Sequence, residues 1–212
     1  FFLTRAGENF ITTMPTAPEN TGNALALNGA ADLTAGTYEI TSKKTINFAG
    51  KTIEGATIFV NGGCTMQYDK DTQMTNTTIV LKSSATLEYN NSDGTGVMIP
   101  EGCTIYCTNP KNNVVAKGLI KIDGNLYADF RGKTSQDKDL STGLGAIKET
   151  SSEEKEKSIT PTQNITFGPN ANVYINGSIR AINLNVESGA NVYAAGNLFN
   201  NDANGNSTIN GN

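Results

Sequence analysis

Short runs of alternating apolar and polar residues recur along this chain in the same sense, at intervals of 18 to 21 residues. Thr37 to Phe48 reads TYEITSKKTINF, Thr57 to Tyr68 reads TIFVNGGCTMQY and Thr78 to Tyr89 reads TIVLKSSATLEY. Downstream, Asn164 to Ile179 and Asn183 to Leu198 repeat Ala-Asn-Val-Tyr identically at an offset of 19. Gly96 to Cys107 and Lys117 to Ala128 fill the gap on the same twelve-position frame. Position 4 of that frame reads Ile40, Val60, Leu81, Ile99, Ile120, Phe167 and Val186. Position 10 reads Ile46, Met66, Leu87, Ile105, Leu126, Val173 and Val192. Position 2 is apolar except at Gly118, and position 8 is small from Cys64 onward.

A period of two is a strand signal, so each unit holds two short strands. They meet at a bend of Gly, Ser, Asn and Pro near positions 5 to 7. Hairpins are excluded, because antiparallel neighbours are joined by turns of two to five residues whereas this pattern repeats in one direction. A single unit cannot bury its own apolar side, and stacked units build one interior column. The expected fold is therefore all-β: a single-stranded parallel β-helix, or solenoid, of about seven coils of ~20 residues.

The frame also sets the expected domain organisation. Residues 1–34 lie outside it and are expected to cap the first exposed strand edge. Residues 35–200 form the β-helix, interrupted by a charge-rich insertion at 129–163 that carries Arg131, Lys133 and the run Glu153 to Lys157. That insertion reads as a solvated excursion, with room for a short helix. Residues 201–212 read as a terminal turn or the start of a further coil, and the chain is expected to be part of a longer protein.

Composition narrows the function classes. Hydrophobic residues make up 37% and charged residues 17% of the chain, which suits a thin core with many polar turns. The net charge is -4 and the basic residues do not cluster, so the phosphate-neutralising stripe of a nucleic acid binder is missing. No apolar run reaches the length of a membrane-spanning helix.

The chain has no His, which excludes Ser/His and Cys/His nucleophilic pairs. Cys64, Cys103 and Cys107 are read as small core residues. Their frame places Cys64 and Cys103 in one column two coils apart, too far for a disulfide. Glu39, Glu88, Asp69, Asp71, Asp93 and Asp123 show no spacing that pairs two carboxylates for catalysis. Asp202 to Asn206 is oxygen-rich, but its glycine is misplaced for a calcium loop. No catalytic residue, metal or cofactor is therefore assigned.

The outward columns carry the candidate site. Position 9 reads Thr45, Thr65, Thr86, Thr104, Asn125, Asn172 and Asn191. Position 11 reads Asn47, Gln67 and Glu88, then Tyr106, Tyr127, Tyr174 and Tyr193. Like residues stacked on adjacent strands stabilise a solenoid. A file of tyrosines beside amides also suits a sugar ring, which has an apolar face and a polar rim, or the docking of a protein.

The pattern T-I-x-V-x-x-G-A-T-L-x-Y resembles the right-handed parallel β-helices of the pectin-lyase-like class, and β-helical domains of bacterial surface and secreted proteins. The resemblance covers about Gly36 to Leu198 without the insertion and is one of fold. It implies an extracellular or cell-surface location and a non-enzymatic adhesin, stalk or scaffold whose partner is a glycan or surface protein. The alternative it implies is a carbohydrate-active domain that binds or cleaves a polysaccharide. The acidic ligand cluster and neighbouring basic residue that a lyase of this class implies have no counterpart here, where arginine occurs only at Arg5, Arg131 and Arg180.

Overall fold

The computed structural model describes residues 13–91, 95–109, 112–130, 143–144, 147–148, 160–161, 164–195, 198–200 and 207–212. Among them there is no helix, and the chain winds as a parallel β-solenoid of about six turns, close to the expected number. Residues 1–12, most of the 129–163 insertion and residues 201–206 lie outside the described residues, so the short helix and the oxygen-rich turn expected there do too.

Each turn visits three sides in the same order. Side one is a continuous parallel sheet of Leu25–Ala26, Gly36–Ile40, Ala56–Val60, Thr78–Leu81, Thr104–Cys107, Asn125–Ala128, Asn172–Ile175 and Asn191–Ala194. Side two begins with Thr45–Asn47, Thr65–Asp69 and Thr86–Asn91. Farther along the chain it comprises Gly143–Leu144, Ser178–Ala181 and Leu198–Asn200. Side three carries Thr52–Glu54 and Gln73–Thr75, then Asn164–Phe167, Leu184–Val186 and Thr208–Ile209.

The strand Asn113–Ile122 passes from one side to the next with no break in its strand structure. Residues 113–118 pair with Thr86–Asn91 on side two, and residues 119–122 pair with Asn164–Phe167 on side three. Gly118 is the last residue of the first pairing. That position explains why it breaks an otherwise apolar column: it sits where the chain turns a corner and needs no inward side chain.

Alternation sends every second side chain inward. On side one Ile58, Ile79, Ile105, Leu126 and Val173 stack in register and are buried. Met66, Leu87, Tyr68 and Tyr89 fill side two, and Ile122, Ile165, Phe167 and Val186 fill side three. At the start, Leu25–Ala26 pairs beneath Tyr38 and Glu39, and Leu33 bridges Ile53. Leu27 and Leu33 thereby close the lower end of the core.

One expectation about register is corrected. The twelve-position frame places Thr104 directly after Thr86 in one column, but Thr104 pairs with Thr78 on side one, and Thr86 lies on side two opposite Asn113. The strand-bend-strand unit occupies the corner between sides one and two in the first three coils. From Ile99 onward it occupies the corner between sides three and one, as shown by Cys103 N–H donating to Pro100 O and Ala171 N–H to Gly168 O. Cys64 and Cys103 therefore do not share a column; both are buried and free, as is Cys107.

Candidate functional site

The seven tyrosine and asparagine positions singled out in the sequence meet on one sheet, side one. The strands that carry them are held in register by their inward Ile, Leu and Val neighbours. Each outward residue therefore stacks on its counterpart one rung away, about 4.8 Å distant. The column of hydrogen-bonding residues is longer than the frame indicates: Thr37, Thr57, Thr78, Thr104, Asn125, Asn172 and Asn191 follow one another without a gap.

The asparagines bind chiefly to each other. Asn125 Nδ2 donates to Thr104 Oγ1 at 3.1 Å, Asn172 Nδ2 to Asn125 Oδ1 at 3.3 Å and Asn191 Nδ2 to Asn172 Oδ1 at 3.4 Å. Asn212 Nδ2 extends the ladder to Asn191 Oδ1 at 3.5 Å. Asn172 and Asn191 also donate to the carbonyls of Asn170 and Gly189, each at 3.4 Å. With both kinds of donation in use, these amides fix the rungs in register and have little left for a ligand.

The tyrosines form the neighbouring column. Tyr106, Tyr127, Tyr174 and Tyr193 occupy successive rungs. Tyr106 and Tyr127 pack tilted with centroids 5.3 Å apart, and Tyr174 and Tyr193 stack at 4.9 Å with planes 14° apart. Exposure is uneven along the file: Tyr106 and Tyr127 are half-buried, Tyr174 is buried at 9% and Tyr193 is exposed at 36%. Burial raises the phenol pKa of Tyr106. Burial, and then the neighbouring Tyr106, raises that of Tyr127. Both therefore remain neutral O–H groups at physiological pH.

Below Tyr106 the same column continues as Val80, Phe59 and Glu39. Asn47, Gln67 and Glu88, expected beneath the tyrosines, lie on side two instead, where Gln67 Nε2 donates to Glu88 Oε2 at 2.8 Å. Sequence reasoning missed Phe59 and Val80. Their signal was present: in Thr-Ile-Phe-Val and Thr-Ile-Val-Leu an apolar residue stands where alternation calls for a polar one.

Ionisable groups inside the coil face the other way. Burial, followed by the proximity of Tyr89, Cys103 and Cys107, drives the Tyr68 phenol well above its ordinary value, and burial drives the Cys107 thiol strongly upward. Tyr68 Oη donates to Met98 O at 2.7 Å. Raised folded-state values mean that the native state favours the protonated acid. The associated stability is full below the ordinary values, 9.0 for the thiol and 10.0 for the phenol, and is lost as pH rises beyond them. Urea denaturation should therefore show stability independent of these groups between about pH 6 and 8. Above about pH 9 it should fall, by up to about 1.4 kcal/mol per pH unit for each such group. Unchanged stability at about pH 11 would contradict the burial of these groups.

Among the described residues no three His, Cys, Asp or Glu side chains converge as metal ligands, and no helix is long and apolar enough to cross a membrane. No family model, curated protein or solved structure matches the chain.

Proposed function

We propose that this protein is a non-enzymatic β-solenoid of the cell surface or extracellular space, serving as an adhesin, stalk or scaffold, and that the tyrosine file of side one is its binding strip. The observation that carries the reading is the file of Tyr106, Tyr127, Tyr174 and Tyr193 on successive rungs of one sheet, with Tyr193 exposed. The accessible parts of Tyr106, Tyr127 and Tyr193 place apolar ring carbons beside phenol hydroxyls, the amphipathic match for a sugar, while Tyr174 backs Tyr193. The Thr/Asn ladder supports that strip by holding its register. A glycan is therefore the favoured ligand, and a surface protein is the competing partner.

The test is a glycan array with the intact chain and with Tyr127→Ala and Tyr193→Ala. Each substitution should weaken binding by about tenfold or more, equal to about 1.4 kcal/mol. Stability should fall by only about 0.5–1.5 kcal/mol from the lost ring pairing. Binding that survives both changes would remove the strip from the account. Release of reducing sugar from any polysaccharide would overturn the non-enzymatic reading in favour of a carbohydrate-active domain.

A further inference from the structure

Phe59 and Val80 occupy outward positions of side one, between Glu39 and Tyr106 in the tyrosine column. Outward residues of a single sheet are exposed unless something lies on them. Yet Phe59 is 1% and Val80 0% exposed, and neither belongs to the interior cluster. The Lys82 ammonium lies 5.3 Å from the Phe59 ring centroid, and a single ammonium group is too small to bury both Phe59 and Val80. A further layer must rest on this face.

The chain supplies a fitting layer just before its first strand. Asn20 Nδ2 donates to Glu39 Oε2 at 3.2 Å, which places Asn20 at the foot of this column. Residues 14–21 have no regular secondary structure. Pro15 and Pro18 favour an extended path and remove the N–H groups an added strand would need. Met14, Pro15, Ala17 and Asn20 are half-buried, whereas Thr13, Thr16 and Glu19 are exposed. An extended segment advances about 3.1 Å per residue, so the six residues from Asn20 back to Met14 span about 19 Å. Phe59 and Val80 lie only about 5 and 10 Å from Glu39 along the stack.

We propose that residues 13–24 are an intramolecular strap laid lengthwise over side one, with Met14, Pro15 and Ala17 covering Phe59 and Val80. The strip on side one is then one apolar and aromatic column from Phe59 to Tyr193. Its lower end is occupied by the chain itself; above it Tyr106 and Tyr127 are half-buried, Tyr174 is held beneath its stacked neighbour Tyr193, and Tyr193 is exposed. The strap stands whatever the tyrosines bind, and a ligand extending below Tyr106 has to displace it.

The test is maleimide labelling of Val80→Cys, a near-isosteric change beside three buried native thiols. In the full chain Cys replacement at this site should be protected. Deletion of residues 1–24, with β-structure verified by circular dichroism, should speed labelling by at least about tenfold, because reactivity follows access. Protection that persists after this deletion overturns the strap, as does protection lost instead on excising residues 131–159 or on dilution to monomer. A second measurement needs no deletion: Phe59→p-benzoylphenylalanine in the full chain should photo-cross-link to residues 14–17, mapped residue by residue. Cross-links to the 131–159 segment or to a second copy would overturn the proposal.

Discussion

Phe167→Ala should lower the unfolding free energy by about 3–5 kcal/mol, the range for truncating a buried aromatic. Phe167 is fully buried and pairs between Ile122 and Val186 on side three. Its strand is fixed by parallel neighbours on both sides, so the strand itself cannot move in to fill the space left. A solenoid couples each turn only to the adjacent turns. The loss should therefore fall on the turns from Asn164 onward. Hydrogen exchange should speed up first in Asn172–Ile175 and Leu184–Val186, while Ala56–Val60 retains its protection. Uniform loss across all turns would mean that the stack does not have this one-dimensional coupling.

Gly124→Ala should be the most damaging change of a single methyl. Gly124 turns the corner from side three to side one, and a Cβ there would lie 2.5 Å from Cys103 O and press on Pro100 O as well. Both are backbone atoms of the rung below, so neither can swing aside. Overpacking of this kind costs about 1–3 kcal/mol, against which the reduced freedom of the unfolded chain returns only about 0.4–1 kcal/mol. Gly29→Ala is the control, since a Cβ there meets nothing within 4 Å. It should be neutral or slightly stabilising in the same denaturant titration. Equal effects at the two glycines would show that the corner is not packed as described.

The inward half of the structure was legible in the sequence because burial writes itself as alternation. All seven position-4 residues are buried, from Ile40 to Val186, and so are six of the seven at position 10, with Val192 partly covered at the upper end. Which side of the coil a strand occupies was not legible. Strand, bend and strand look alike at every corner, and the same apolar residues serve all three sides. The 26-residue step from Thr78 to Thr104, against 21 from Thr57 to Thr78, is where the frame changes corner unnoticed. The slip had a consequence for the site. It set the tyrosines above Asn47, Gln67 and Glu88, when their column actually continues through Val80 and Phe59 to Glu39. It also hid that the threonines of side one and the asparagines form one ladder.

The register of side one is the claim on which the tyrosine strip, the ladder and the strap all depend, and paired cysteines test it directly. Neighbouring rungs place facing residues about 4.8 Å apart, inside the range of about 4.4–6.8 Å that a disulfide spans. In the chain carrying Thr78→Cys and Thr104→Cys, mild oxidation should form an intramolecular disulfide between the two positions, located by mass spectrometry. In the chain carrying Thr86→Cys and Thr104→Cys it should not, since Thr86 belongs to side two. A disulfide in the second chain and none in the first would contradict the account.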